Sequence, residues 1–105
     1  NNYNEARREL ESLINNPGLT PGDQNKLMHG LGRVEFYTQN YEKALVYFSK
    51  IFAKYPKASL APNSLLFIGK SLEKLGKKDE AKEAYSQLLE SYPRSKEADD
   101  AKKSL

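Results

Sequence analysis

Apolar residues along the chain recur at helical spacing. Leu65, Ile68, Leu72 and Leu75 stand three and four apart, and Ala81, Tyr85, Leu88, Leu89 and Tyr92 form a second stripe of the same kind. Met28 and Leu31, then Ala44, Phe48, Ile51, Phe52 and Tyr55, set out the same two stripes earlier in the chain. No segment alternates apolar and polar positions as a half-buried strand would. Breakers fall between the stripes. Gly76 offers a backbone that accepts positive φ at a helix end, and Asn40 is expected to do that job after the earlier helix. Thr20-Pro21-Gly22-Asp23 supplies a capping hydroxyl, a proline at the first helical position and an acid in the first turn, and Pro62 sits near another start. Pro56 and Pro93 fall just past helix ends. Together these signals predict helices at about 3 to 15, 21 to 38, 41 to 54, 61 to 75, 78 to 91 and 96 to 104, in three antiparallel pairs of an all-α chain.

Laid against itself with an offset of 37, the sequence aligns Gly32 with Gly69, Ala44 with Ala81, Ser49 with Ser86, Tyr55 with Tyr92, Pro56 with Pro93 and Ala61 with Ala98. Conservative pairs share the register: Met28 with Leu65, Leu31 with Ile68, Arg33 with Lys70, Phe48 with Tyr85. At an offset of 38, Tyr3, Ala6, Leu10, Leu13 and Ile14 match Tyr41, Ala44, Phe48, Ile51 and Phe52. A period of this length marks stacked helix pairs, none of which can bury its apolar face alone. One domain of 105 residues is expected: 1–18 the second helix of a preceding unit, 19–58 and 59–95 two full units, and 96–105 a terminal helix. The opening at Asn1, with neither Met nor a basic and apolar leader, reads as a piece cut from a longer protein, any targeting signal lying outside it.

Leu65-x-x-Ile68-Gly69-x-x-Leu72, Ala81-x-x-x-Tyr85 and Pro93, with Met28-x-x-Leu31-Gly32-x-x-Glu35, Ala44-x-x-x-Phe48 and Pro56 before them, resemble the tetratricopeptide repeat. The resemblance implies an α-solenoid of about six helices. It assigns Gly32, Ala44, Phe48, Pro56, Gly69, Ala81, Tyr85 and Pro93 to packing within and between repeats. Two departures stand out. Glu35 occupies a place where a large apolar residue or Tyr is usual, with Phe36 one position later, and the period exceeds the family's 34, which places an insertion at Tyr55 to Pro62. Tyr-Pro-Lys-Ala-Ser-Leu-Ala-Pro-Asn-Ser (Tyr55 to Ser64) and Tyr-Pro-Arg-Ser-Lys-Glu-Ala (Tyr92 to Ala98) are similar to the C-terminal repeats of the Tol–Pal cell-division coordinators, the CpoB or YbgF family, and more loosely to the BamD lipoproteins. That likeness implies the bacterial periplasm or cell envelope.

Composition removes several classes of function. There is no Cys, so disulfide scaffolds and thiolate metal sites are out, and no apolar run, Leu65 to Ile68 included, comes near the roughly 20 residues that cross a membrane. Lys and Arg number 17 against 14 Asp and Glu, with the signs interleaved, so no basic arm for nucleic acid is present. Charged residues make up 30% of the chain, which favours an extended array over a dense globule. Five tyrosines, Tyr3, Tyr41, Tyr55, Tyr85 and Tyr92, fall at packing positions, and Tyr37 and Tyr47 remain free. Gly30-Leu31-Gly32 lies inside a helix without the strand a nucleotide loop needs, and the pairs Glu9/Glu11, Asp79/Glu80 and Asp99/Asp100 fit solvated faces or helix starts. His29 is the single His. No catalytic residue, metal ligand or cofactor is expected.

What remains is a surface for other proteins. In arrays of helix pairs the first helix of each pair lines the concave side, and its outward positions here carry Lys26, His29, Arg33 and Phe36, then Asn63, Leu66, Lys70 and Glu73. Arg33 and Lys70 are equivalent places in successive units, so stacking sets two cations side by side near apolar Phe36 and Leu66. A protein or peptide segment with a carboxylate and an apolar side chain suits that face; the plainer alternative is a solvated helix surface. The chaperone-tail clamp of this repeat class is rejected, because it needs a Lys and Asn pair where His29 and Arg33 stand and an Asn at Phe67. Self-association through the exposed end helices, or service as a regulatory domain of a larger protein, are the other readings, with neither nucleic-acid binding nor direct membrane insertion expected.

Overall fold

A computed structural model describes residues 2–105. Six helices follow in order: α1 (Asn2–Ile14), α2 (Pro21–Tyr37), α3 (Tyr41–Lys54), α4 (Ala61–Lys74), α5 (Lys78–Ser91) and α6 (Lys96–Lys103). Their starts follow from local chemistry. The Thr20 hydroxyl accepts the Asp23 N–H at 3.1 Å ahead of Pro21, and the Ser95 hydroxyl accepts that of Ala98 at 3.1 Å, so orphan donors at both N-termini are satisfied. At the end of α2 the positive φ falls on Gln39 (68°), not on Asn40 as expected. Gln39 is the 37-register equivalent of Gly76 (φ 78°), so the repeat register, more than residue type, fixes where the chain turns.

Each helix packs on its neighbours in the chain, and α4 also touches α6. The array measures 38 × 28 × 18 Å with a radius of gyration of 13.7 Å, somewhat above the roughly 13 Å of a compact chain of this length. Two apolar clusters share it. Met28, Ala44, Phe48, Ile51 and Phe67 form the first, and Leu65, Leu66, Leu72, Ala81, Ala84, Tyr85, Leu88 and Ala101 the second. Among the described residues no helix is long and apolar enough to cross a membrane.

The interior glycines are explained by the rings opposite them. A Cβ on Gly32 would lie 2.8 Å from the Phe48 ring, and one on Gly69 would come closer still to Tyr85. Both rings are fully buried and cannot swing aside. Gly69→Ala is therefore expected to destabilise the array by about 1–2 kcal/mol, overpacking outweighing the helix propensity alanine adds, with Gly32→Ala milder; urea unfolding of the two variants measures the order.

Two expectations about packing are corrected, and the departure at Glu35 is explained. Pro56 and Pro93 are exposed and end helices without filling space; the packing falls to the tyrosines before them, Tyr92 donating to the Pro56 carbonyl and Tyr55 to Gln24 Oε1 at 2.9 Å. Tyr3, assigned to packing, lies exposed and stacks on Tyr37 at 6.4 Å, whereas Tyr47, read as free, is half-buried against the first cluster. Glu35 needs no apolar substitute. It is buried, and its Oε1 accepts Arg7 Nη2 at 2.9 Å, Arg7 Nε at 3.1 Å and Asn40 Nδ2 at 3.1 Å, while Arg7 also donates to Thr38 and Asn4. An ion pair thus docks α1 where the repeat normally uses an apolar contact.

Candidate functional site

One side of the array is concave. Residues of α2, α4 and α6, with Ser59 and Leu60 between the pairs, line an open groove of about 530 Å³. A row of hydrogen bonds crosses three helices there: His29 Nε2 meets Asn63 Oδ1 at 2.6 Å, and Asn63 Nδ2 reaches Glu97 Oε2 at 3.4 Å. Because the Asn63 amide donates to Glu97, its oxygen is left to accept, so His29 presents Nε2–H. The floor beside this row is apolar. Phe67 stacks on Phe48 with centroids 4.9 Å apart, and Lys70 Nζ stands 5.3 Å over the Phe67 ring, within cation–π range.

Of the residues expected on this face, His29, Arg33, Asn63, Leu66 and Lys70 come together in the groove. Leu66 is buried and acts as wall. Three others lie elsewhere. Lys26 is exposed and outside the groove. Phe36 turns inward against Tyr41 and Phe67, at 5.3 and 5.1 Å between ring centroids, and packs on the first apolar cluster. Glu73 accepts the hydroxyl of buried Tyr85, which ties it to α5; burial, and then that hydrogen bond, raise the Tyr85 phenol well above its usual range.

The groove also holds Tyr37, Leu60, Phe67, Lys96, Glu97 and Asp100, none of them anticipated. A signal for them existed. His29, Asn63 and Glu97 are separated by 34 and 34 residues, not 37, since tilted helices place in contact residues that are not register equivalents. Sliding the sequence by 34 from Arg33 reaches Phe67. Among the described residues the one ion pair is Arg7–Glu35, so Arg33, Lys70 and Asp100 face the groove without a carboxylate or cation partner. No three His, Cys, Asp or Glu side chains among the described residues gather in a way that could hold a metal. A second hollow, about 510 Å³, lies between α1 and α2 and is lined by Tyr3, Ala6, Leu10, Gly30, Val34 and Tyr37.

His29 is half-buried and its pKa is lowered from 6.5, chiefly by desolvation; the Asn63 hydrogen bond opposes this and the Arg33 charge adds to it. A folded-state value below the unfolded one means the unfolded chain binds more protons in the interval between them. The contribution of His29 is therefore complete above about pH 6.5 and lost as the pH falls from there through the folded-state value. Against His29→Gln, which keeps a donor toward Asn63, the wild type is expected to lose melting temperature more steeply between pH 7 and 5, and ring-proton NMR titration should give a midpoint below 6.5.

Comparison with known families matches the tetratricopeptide repeat twice, at residues 27–58 and 64–95. The chain belongs to the tetratricopeptide repeat family. The two matches take in most of α2 and α4 and all of α3 and α5, and carry Gly32, Phe48, Gly69 and Tyr85 at the close contacts described above. Tetratricopeptide repeats generally mediate protein–protein interaction, and the fold is typically a non-catalytic scaffold. No curated protein matches the chain significantly.

Proposed function

We propose that this tetratricopeptide repeat protein is a non-catalytic adaptor that holds a peptide or protein segment in the groove of α2, α4 and α6. The observation that carries the reading is the pair of cations without a carboxylate partner, Arg33 and Lys70, beside an apolar floor built on Leu66 and Phe67. An acidic or carboxylate-bearing segment with an apolar side chain complements them. We place the adaptor in the bacterial periplasm or envelope, of the Tol–Pal cell-division type; the phrases at Tyr55 to Ser64 and Tyr92 to Ala98 support that placement.

Affinity capture from envelope and cytosolic extracts tests it, with wild type beside an Arg33→Glu, Lys70→Glu double variant shown by circular dichroism to stay helical. An envelope partner bound by wild type and lost, by at least tenfold, from the double variant is the expected result. Equal capture by both proteins would remove the groove from the account.

A second reading, a structural segment that self-associates, rests on α1. That helix has no buried residue, leaves Tyr3 and Leu13 exposed, and borders the apolar hollow against α2. Sedimentation that finds a strict monomer at high concentration would dispose of it.

A further inference from the structure

The groove is not uniformly basic. Its α2 and α4 side presents Arg33 and Lys70, while its α6 rim presents Glu97 and Asp100, with Lys96 at the start of the same helix. Glu97 is engaged by Asn63 at 3.4 Å; Asp100 is exposed and free of any ion pair. Between the two rims lie Leu66 and Phe67. Resting on the groove reading above, we infer that the bound segment is dipolar: an extended peptide with an acidic side chain at the α2 rim, apolar side chains over the floor, and a basic side chain at the α6 rim. A purely acidic ligand would satisfy Arg33 and Lys70 but set a like charge against Asp100 and Glu97. A purely basic one would do the reverse.

Geometry sets the spacing of those charges. Packed helices stand about 8–10 Å apart; α6 packs on α4 directly, and α2 reaches α4 through the His29–Asn63 hydrogen bond and the Phe36–Phe67 ring contact, which puts α2 and α6 about 16–20 Å apart or slightly more. An extended chain rising about 3.3 Å per residue covers that in about five or six residues. The row from His29 through Asn63 to Glu97 already links the three helices across this span, so the two rims are held at a fixed separation.

The test uses eight-residue peptides of Ser and Leu that carry an uncharged fluorophore on the N-terminal amine and a C-terminal amide, so that only two placed side chains carry charge. One pair has Glu and Arg six positions apart in either order, a third peptide has Glu at both places, and anisotropy reads their binding to the whole chain. One order of the Glu/Arg pair should bind wild type about fivefold more tightly than the double-Glu peptide, the size expected when an exposed ion pair replaces a like-charge contact. Asp100→Lys, at an exposed position, should reverse that ranking, and Arg33→Glu should weaken both ligands. If the double-Glu peptide binds wild type as well as the dipolar ones, or Asp100→Lys leaves the ranking unchanged, the dipolar assignment is overturned while the groove survives. If no peptide binds and Arg33→Glu changes nothing, both fall.

Discussion

Replacing Phe48 with alanine is expected to cost about 3–5 kcal/mol, which lowers the melting temperature by on the order of 20 °C and brings the array to the edge of unfolding. The ring is fully buried, stacks on Phe67, meets the edge of His29 at 5.6 Å and fills the space that Gly32 vacates. Nothing nearby can collapse into the void, because the opposite helix is already reduced to a glycine at the contact. A domain of this size commonly has only about 5–15 kcal/mol in total. The loss should spread, since α2, α3 and α4 all lean on that ring and each unit of a repeat array depends on its neighbours. Thermal and urea unfolding followed by circular dichroism will measure it. A fall of only a few degrees would mean that this ring is not the keystone of the first cluster. Phe48→Leu should recover part of the loss.

Arg7→Ala is expected to loosen one end of the molecule instead of the whole. With Arg7 removed, the buried Glu35 carboxylate keeps Asn40 alone, and stranding one member of a largely buried pair costs about 2–4 kcal/mol once the partial exposure of Arg7 is allowed for. The effect should concentrate in α1, which contributes no buried residue and is otherwise held by the Tyr3–Tyr37 stack, the approach of Leu10 to Gly30 and the packing of Ile14 on the first cluster. Hydrogen exchange would show lost protection across residues 2–14 with α3 to α5 little changed. The double variant Arg7→Leu, Glu35→Leu separates charge from shape. It restores the apolar residue usual at position 35, and it should match or exceed wild-type stability, as hydrophobic replacement of buried ion pairs often does. A double variant as loose as Arg7→Ala would show that the Arg7 hydrogen bond to Thr38, more than the pair itself, docks the helix.

The helices and their pairing were legible in the sequence because each rests on a local period or on a repeated residue, whereas Ala44 and Ala81 were the expected neighbours of Gly32 and Gly69 and the rings of Phe48 and Tyr85 stand there instead. The spacing of Leu65, Ile68 and Leu72 is a property of one helix, and Gly32 and Gly69 share a register. Asn40 was given the positive φ on residue type, although the 37-residue register pointed to Gln39. The site was legible on α2 and α4 alone. Its α6 rim was hidden because contacts between helices follow tilt, which takes His29 to Asn63 and Glu97 by steps of 34 while equivalence runs by 37. Phe36 and Glu73 were placed on the groove by periodicity and were claimed by Tyr41 and Phe67 in the one case and by Tyr85 in the other. These are competitions between partners that a helical stripe does not encode.

Phe67 belongs to two surfaces at once. Its ring is packed against Phe48 in the interior, and Lys70 rides above it where a ligand would lie. The apolar floor is accordingly closed to drift: a smaller residue there opens a void against Phe48, and a larger one pushes into α3. Diversification of partner choice is left to the charged rims, where Arg33, Lys70 and Asp100 can exchange sign without disturbing the interior. A lineage of such proteins could change what it recognises while its scaffold stays constant.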